Sequence, residues 1–63
     1  MVNKNLISLH IGPDEYRLEQ KTLSAYDEYV VYKNDAFYRV FTNICEAARY
    51  LVDKWEEVQH AIL

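Results

Sequence analysis

The side chains able to do chemistry are few and scattered. Cys45, His10 and His60 supply the thiol and both imidazoles of the chain, and a nucleophile needs a base within hydrogen-bond reach and a group to orient it. Cys45 falls in the first turn of a predicted helix, where the helix dipole can lower a thiol pKa. But Cys45, Ala48, Val52 and Trp55 follow one another at helical spacing, which makes the cysteine a small residue packed beside a buried stripe. His10 lies on an alternating strand next to Leu6 and Ser8, with no acid or nucleophile fixed near it by spacing, and is expected to be structural. The best metal-like set is Asp53, Glu56, Glu57 and His60, since Glu56 and Glu57 stand four and three residues before His60 on one helix. Without a second tier of groups to orient them, such ligands describe a solvated acidic face. The single glycine rules out a glycine-rich phosphate loop. No catalytic residue, no metal and no cofactor is expected, and the chain is not expected to be an enzyme.

Size and composition narrow the remaining classes. The 63 residues make one domain, residues 1 to 63, without room for a second core. Burial and chain entropy nearly cancel at this size, leaving about 3 to 5 kcal/mol from a single core. Such a domain needs good packing, a staple or another copy of itself. Lone Cys45 excludes a disulfide within the chain and fits a reducing compartment. The start, "MVNKNLISLHIG", has no basic segment followed by a long apolar run, and no stretch approaches the roughly 18 apolar residues of a membrane span. A cytoplasmic protein without membrane contact is expected. The net charge of −3, with seven basic residues scattered among ten acids, argues against direct nucleic-acid binding, which rests on clustered lysine and arginine.

The elements follow from periodicity. "LISLHI" places Ile7, Leu9 and Ile11 on one side and Leu6, Ser8 and His10 on the other, while "EYRLEQK" places Tyr16 and Leu18 opposite Arg17, Glu19 and Lys21. Gly12-Pro13-Asp14-Glu15 reads as the reversal between them, with proline at its second position, so residues 6 to 21 form a first hairpin. After a connection at 22 to 27, Asn34-Asp35 predicts a two-residue turn, since both residues tolerate positive φ. That register sets Lys33 opposite Ala36, Val31 opposite Tyr38 and Tyr29 opposite Val40 on one face. On the other it sets Tyr32 opposite Phe37, Val30 opposite Arg39 and Glu28 opposite Phe41. Asn43 caps a helix, with Glu46 placed to reach back to the Asn43 amide. Along it Ile44, Ala48, Leu51, Trp55, Val58 and Ile62 make an apolar stripe widened by Ala47 and Val52, and Arg49 and Asp53 are spaced to pair on the surface. The expected architecture is α+β: an antiparallel sheet of about four strands, in two hairpins, packed in two layers on one C-terminal helix.

One helix cannot cover both faces of a sheet. If Tyr29, Val31, Tyr38 and Val40 meet the helix stripe, then Val30, Tyr32, Phe37 and Phe41, rimmed by Glu28 and Arg39, form an apolar patch. Its composition is that favoured at interface centres. The candidate interface is therefore Glu28, Val30, Tyr32, Phe37, Arg39 and Phe41, covered by a partner protein or by a second copy in a homodimer. The bland reading is that residues 1 to 5, the 22 to 27 connection or the terminal "HAIL" folds over it. The four-three spacing of the helix is a competing dimer seam.

A strand running into "HIGPDEYRL", an aromatic hairpin, then "FTNICEAARYLVD" resembles the small uncharacterised proteins of bacteriophages and prophages. The resemblance is carried in detail by Asn43, Glu46, Ala47, Tyr50 and Leu51, with Cys45 standing where an acid is usual. It implies an accessory protein of a mobile element that acts by binding a host or defence protein, and it carries over no functional residues. The expected function is thus non-enzymatic protein binding that inhibits or modulates its target. The alternative is a nucleic-acid mimic that presents Asp14, Glu15, Glu19, Asp27, Glu28 and Asp35, with Asp53, Glu56 and Glu57 of the helix, to a basic groove.

Overall fold

The computed structural model describes residues 2 to 62, and the side chains of residues 3 to 59. Four strands, β1 (Val2–Ile11), β2 (Asp14–Thr22), β3 (Asp27–Lys33) and β4 (Ala36–Phe41), precede one helix, α1 (Ile44–Ile62). The strands form one antiparallel sheet in the order β1-β2-β3-β4, and α1 lies on one face of it, as the alternation and the helical stripe predict. The first hairpin is longer than residues 6 to 21, because β1 continues back to Val2 opposite Thr22.

Two turns set the register. Gly12 and Pro13 are the central residues of the first, one position earlier than the sequence suggests. Gly12 takes a φ of 63°, which proline cannot adopt, so glycine comes second and proline third of the four turn residues, as in a II′ hairpin turn. The second is the expected Asn34-Asp35 turn, with φ of 52° and 67°. Asn34 also ties the two hairpins together. Its amide donates to the Glu15 carbonyl at 2.8 Å, its Oδ1 accepts from the Glu15 amide at 3.0 Å, and its Nδ2 donates to Asp14 Oδ1 at 3.0 Å. Asn34→Ala removes both side-chain bonds and replaces a residue type that tolerates the left-handed region with one that does not. A loss of about 2 kcal/mol is expected in a urea titration.

Both edge strands contain a register shift that alternation does not reveal. In β1 the shift lies between Asn5 and Ile7, and Leu6, expected on the far face, packs against the core. In β4 the pairing of Lys33 with Ala36 and of Tyr32 with Phe37 is as expected, but Val31 then meets Arg39, Val30 meets Val40 and Tyr29 meets Phe41. Tyr38 is the extra residue of a β-bulge. Beyond it every side chain of β4 has changed face: Val40 leaves the helix side and Phe41 joins it.

The core consists of Ile11, Tyr16, Leu18 and Val31 from the sheet and Ala47 and Leu51 from α1. Aromatic rings extend it toward β4. Tyr38 lies edge-on to Tyr16 at 6.3 Å and tilted against Tyr50 at 6.1 Å, and Phe41 meets Tyr50 at 5.6 Å. The Tyr50 hydroxyl is buried with no hydrogen-bond partner among the described residues; burial pushes its pKa up, and the nearby Tyr38 hydroxyl adds to the effect. Asn43 starts the helix, its Oδ1 accepting from the Cys45 amide at 2.7 Å and its carbonyl from the Ala47 amide at 3.2 Å. The reciprocal bond from the Asn43 amide to Glu46 is not formed. From that corner beside β4, α1 runs obliquely to the opposite corner, where a Cβ on Gly12 would sit 3.3 Å from Val58. The first half of β1 is left uncovered.

Candidate functional site

The second face of the sheet is covered in part by its own polar side chains, with Phe37 and Val40 of β4 left exposed. Val30 is only 2% exposed, lying between Glu19 and Val40 across the strands and between Glu28 and Tyr32 along β3. Arg17 stretches over this face. Its guanidinium carbon sits 4.7 Å from the centre of the Tyr32 ring, its Nε donates to Glu19 at 2.7 Å and its Nη1 to Asp35 at 2.8 Å. Asp35 first and Glu19 second raise the Arg17 pKa. Lys21 approaches the same ring at 5.8 Å. The long stems of Arg17 and Lys21 do the covering that an apolar-against-polar count assigns to a partner.

The six expected interface residues therefore do not form one patch. Glu28, Tyr32 and Phe37 remain on the second face, but Val30 is buried there and Phe41 is on the helix side against Tyr50. Arg39 has its guanidinium 5.3 Å from the Tyr38 ring centre. Phe37, at 64% exposed, is the ring left in water. Of the segments offered as a cover, the 22 to 27 connection closes on itself through a bond from the Leu23 amide to the Tyr26 carbonyl at 2.9 Å. The side chains of "HAIL" lie outside the described residues.

The larger open apolar surface is on the helix side. The oblique path of α1 leaves a groove of about 410 Å³ between it and β1, lined by Leu6, Ile7, Leu9, Leu18, Ile44, Ala48, Leu51, Val52 and Trp55. Only part of the predicted stripe is spent on the sheet. Ala47 and Leu51 are buried and Val58 half-buried, whereas Ile44, Val52 and Trp55 stay about half exposed. The apolar arc of α1 is wider than the strip of sheet beneath it. Its inner part, Ala47, Leu51 and Val58, makes the core; its outer part overhangs β1 and becomes one wall of the groove.

No protein-family model, curated protein or solved structure matches this chain. The site is therefore judged on its own geometry. An all-apolar wall offers shape and burial but no group to polarise a bond, so binding is the chemistry it supports. The titratable candidates add nothing to it. Cys45 is exposed rather than packed, because its position in the first turn points away from the sheet; with Asn43, Glu46 and Arg49 it lines a shallow notch. His10 Nε2 stands 4.0 Å from Glu15 Oε2 at the surface. No group of three metal-ligating side chains occurs among the described residues, and the His60 side chain is outside them. The Arg49–Asp53 pair is not formed; among the described residues the ion pair on α1 is Lys54–Glu57 at 3.5 Å.

The described helix is not apolar enough to cross a membrane. What sequence reasoning missed is the groove, although Ile7, Ile44, Val52 and Trp55 were all visible in the strand and helix patterns. The signal was the width of the stripe: its eight positions among nineteen residues are too many for one side of a short sheet crossed at an angle.

Proposed function

We propose that this chain is a non-enzymatic protein-interaction protein that engages its partner through the groove between β1 and α1. The observation that carries the reading is an all-apolar channel with a half-exposed tryptophan on its wall. Tryptophan in such a position is the residue type most enriched at binding hot spots, and a contiguous apolar surface on a small domain marks an interaction site. A modulator encoded by a mobile element, acting on a host protein, is a use that fits such a surface. The second reading, a nucleic-acid mimic, draws less support, because its carboxylates are partly engaged within the chain. Glu19 and Asp35 are held by Arg17, Asp14 lies 3.8 Å from Lys33, and Asp27 accepts from Gln20 at 3.0 Å.

An apolar dye tests the groove directly. Trp55 is the single tryptophan, so anilinonaphthalene sulfonate bound there is excited through it by energy transfer. Wild-type protein, diluted until it is monomeric, is expected to light the dye on excitation of Trp55, and Val52→Asp at the same dilution is expected to abolish that signal while the far-ultraviolet circular dichroism stays unchanged. Equal dye binding by Val52→Asp, or binding without transfer from Trp55, would place the apolar surface elsewhere and sink this reading.

A further inference from the structure

We propose that the occupant of the groove is a second copy of this chain, the two α1 helices packing antiparallel about a two-fold axis beside Val52; this rests on the groove being the interaction surface. Three observations support it. The first is the thinness of the core. Seven apolar residues are buried among the described residues, and a single core of this size contributes only about 3 to 5 kcal/mol. Leaving the sole tryptophan 49% exposed wastes the largest apolar side chain available. Another copy is the one partner present wherever the chain is made, and two-fold dimers are the commonest way to bury such a face.

The second is steric. Ile44, Ala48, Val52 and Trp55 recur every three to four residues and so share one side of α1. Reversing a copy of this stripe about an axis next to Val52 brings Trp55 of each chain over Ala48 of the other. The alanine is the small residue a ring can enter, a bulky side chain into the hole beside a short one. A standard interface needs about 800 Å² from each partner, under a fifth of the 4528 Å² that the chain exposes.

The third is charge. Arg49 and Glu56 are both exposed and stand two turns apart on the same flank of the stripe, the flank away from the sheet. Neither takes part in an ion pair among the described residues. Within one helix they are about 10 Å apart along the axis, too far to meet. The two-fold operation reverses the helix and brings Arg49 of each copy level with Glu56 of the other, forming two equivalent pairs. A single chain has no use for this arrangement, and an isologous dimer completes it.

The test is sedimentation equilibrium on wild type, Arg49→Glu, Glu56→Arg and an equimolar mixture of the two variants. A wild-type dimer is expected, with each variant alone weakened by about tenfold or more, since each sets like charges against one another. The mixture is expected to recover the dimer, because a heterodimer of the two variants restores both pairs with reversed sign. Raising the salt concentration should narrow the differences. Both substitutions are on the solvent side of α1, so folding is not at risk. A wild-type monomer at all concentrations that still lights the dye through Trp55 overturns the second copy and leaves the groove free for a different protein. A dimer indifferent to both charge reversals overturns the helix-to-helix geometry. Loss of both dimer and dye binding removes this inference and the interaction reading together.

Discussion

Leu51→Ala is expected to lower the unfolding free energy by about 3 kcal/mol, which is most of what a domain this small has to lose. Val52→Ala, one residue on, is expected to change it by less than about 0.5 kcal/mol when measured under monomeric conditions. The two side chains have similar chemistry and opposite surroundings. Leu51 is buried against the sheet and its removal leaves a cavity, while Val52 is half exposed on the groove wall and its removal leaves water where water already was. Urea titration followed by circular dichroism separates them. If the groove takes a second copy, Val52→Ala has its effect elsewhere, in a melting temperature that falls more steeply on dilution than that of wild type. Equal losses for the two substitutions would mean that the groove is closed within the chain.

The second contrast is between the two phenylalanines. Phe41→Ser should cost about 3 kcal/mol and abolish cooperative unfolding near room temperature. Phe37→Ser should leave stability within about 0.5 kcal/mol. Counting by twos along β4 puts both rings on one face, where they would behave alike. The bulge at Tyr38 sends Phe41 to the helix side, into contact with Tyr50, and leaves Phe37 in solvent. A Phe41→Ser variant that unfolds while Phe37→Ser does not is therefore direct evidence for the extra residue, obtained without a structure.

These contrasts also mark what was legible in the sequence. The Asn34-Asp35 turn, the Asn43 cap and the order of elements all follow from local rules: which residues tolerate positive φ, which side chain can accept from the first helical amides, and where periodicity changes from two to three and four. Bulges are different. Nothing local in "FYRVF" says which residue goes unpaired, because that is decided by the fit of the strand to β3 and α1 together. The covering of the second face was hidden for another reason. Arg17 and Lys21 count as polar in any alternation pattern, yet their stems and the guanidinium plane lie across Tyr32 and help to keep Val30 dry. The candidate site was misplaced in consequence: the sequence showed more apolar surface than one helix and one sheet face could hide, but not which surplus the fold would leave open.

The bulges have a further consequence for crowding. A sheet with two free edges is a template on which identical chains can add without end, and a long regular edge strand is an invitation to fibre growth. Here both outer strands are interrupted, β1 between Asn5 and Ile7 and β4 at Tyr38. Each break twists the row of unpaired amides and carbonyls out of line and spoils its match with another edge. Growth by strand addition is disfavoured at both ends of the sheet, and if the proposed second copy fills the groove, that surface has no vacancy left. A molecule built this way can pair at high concentration without polymerising.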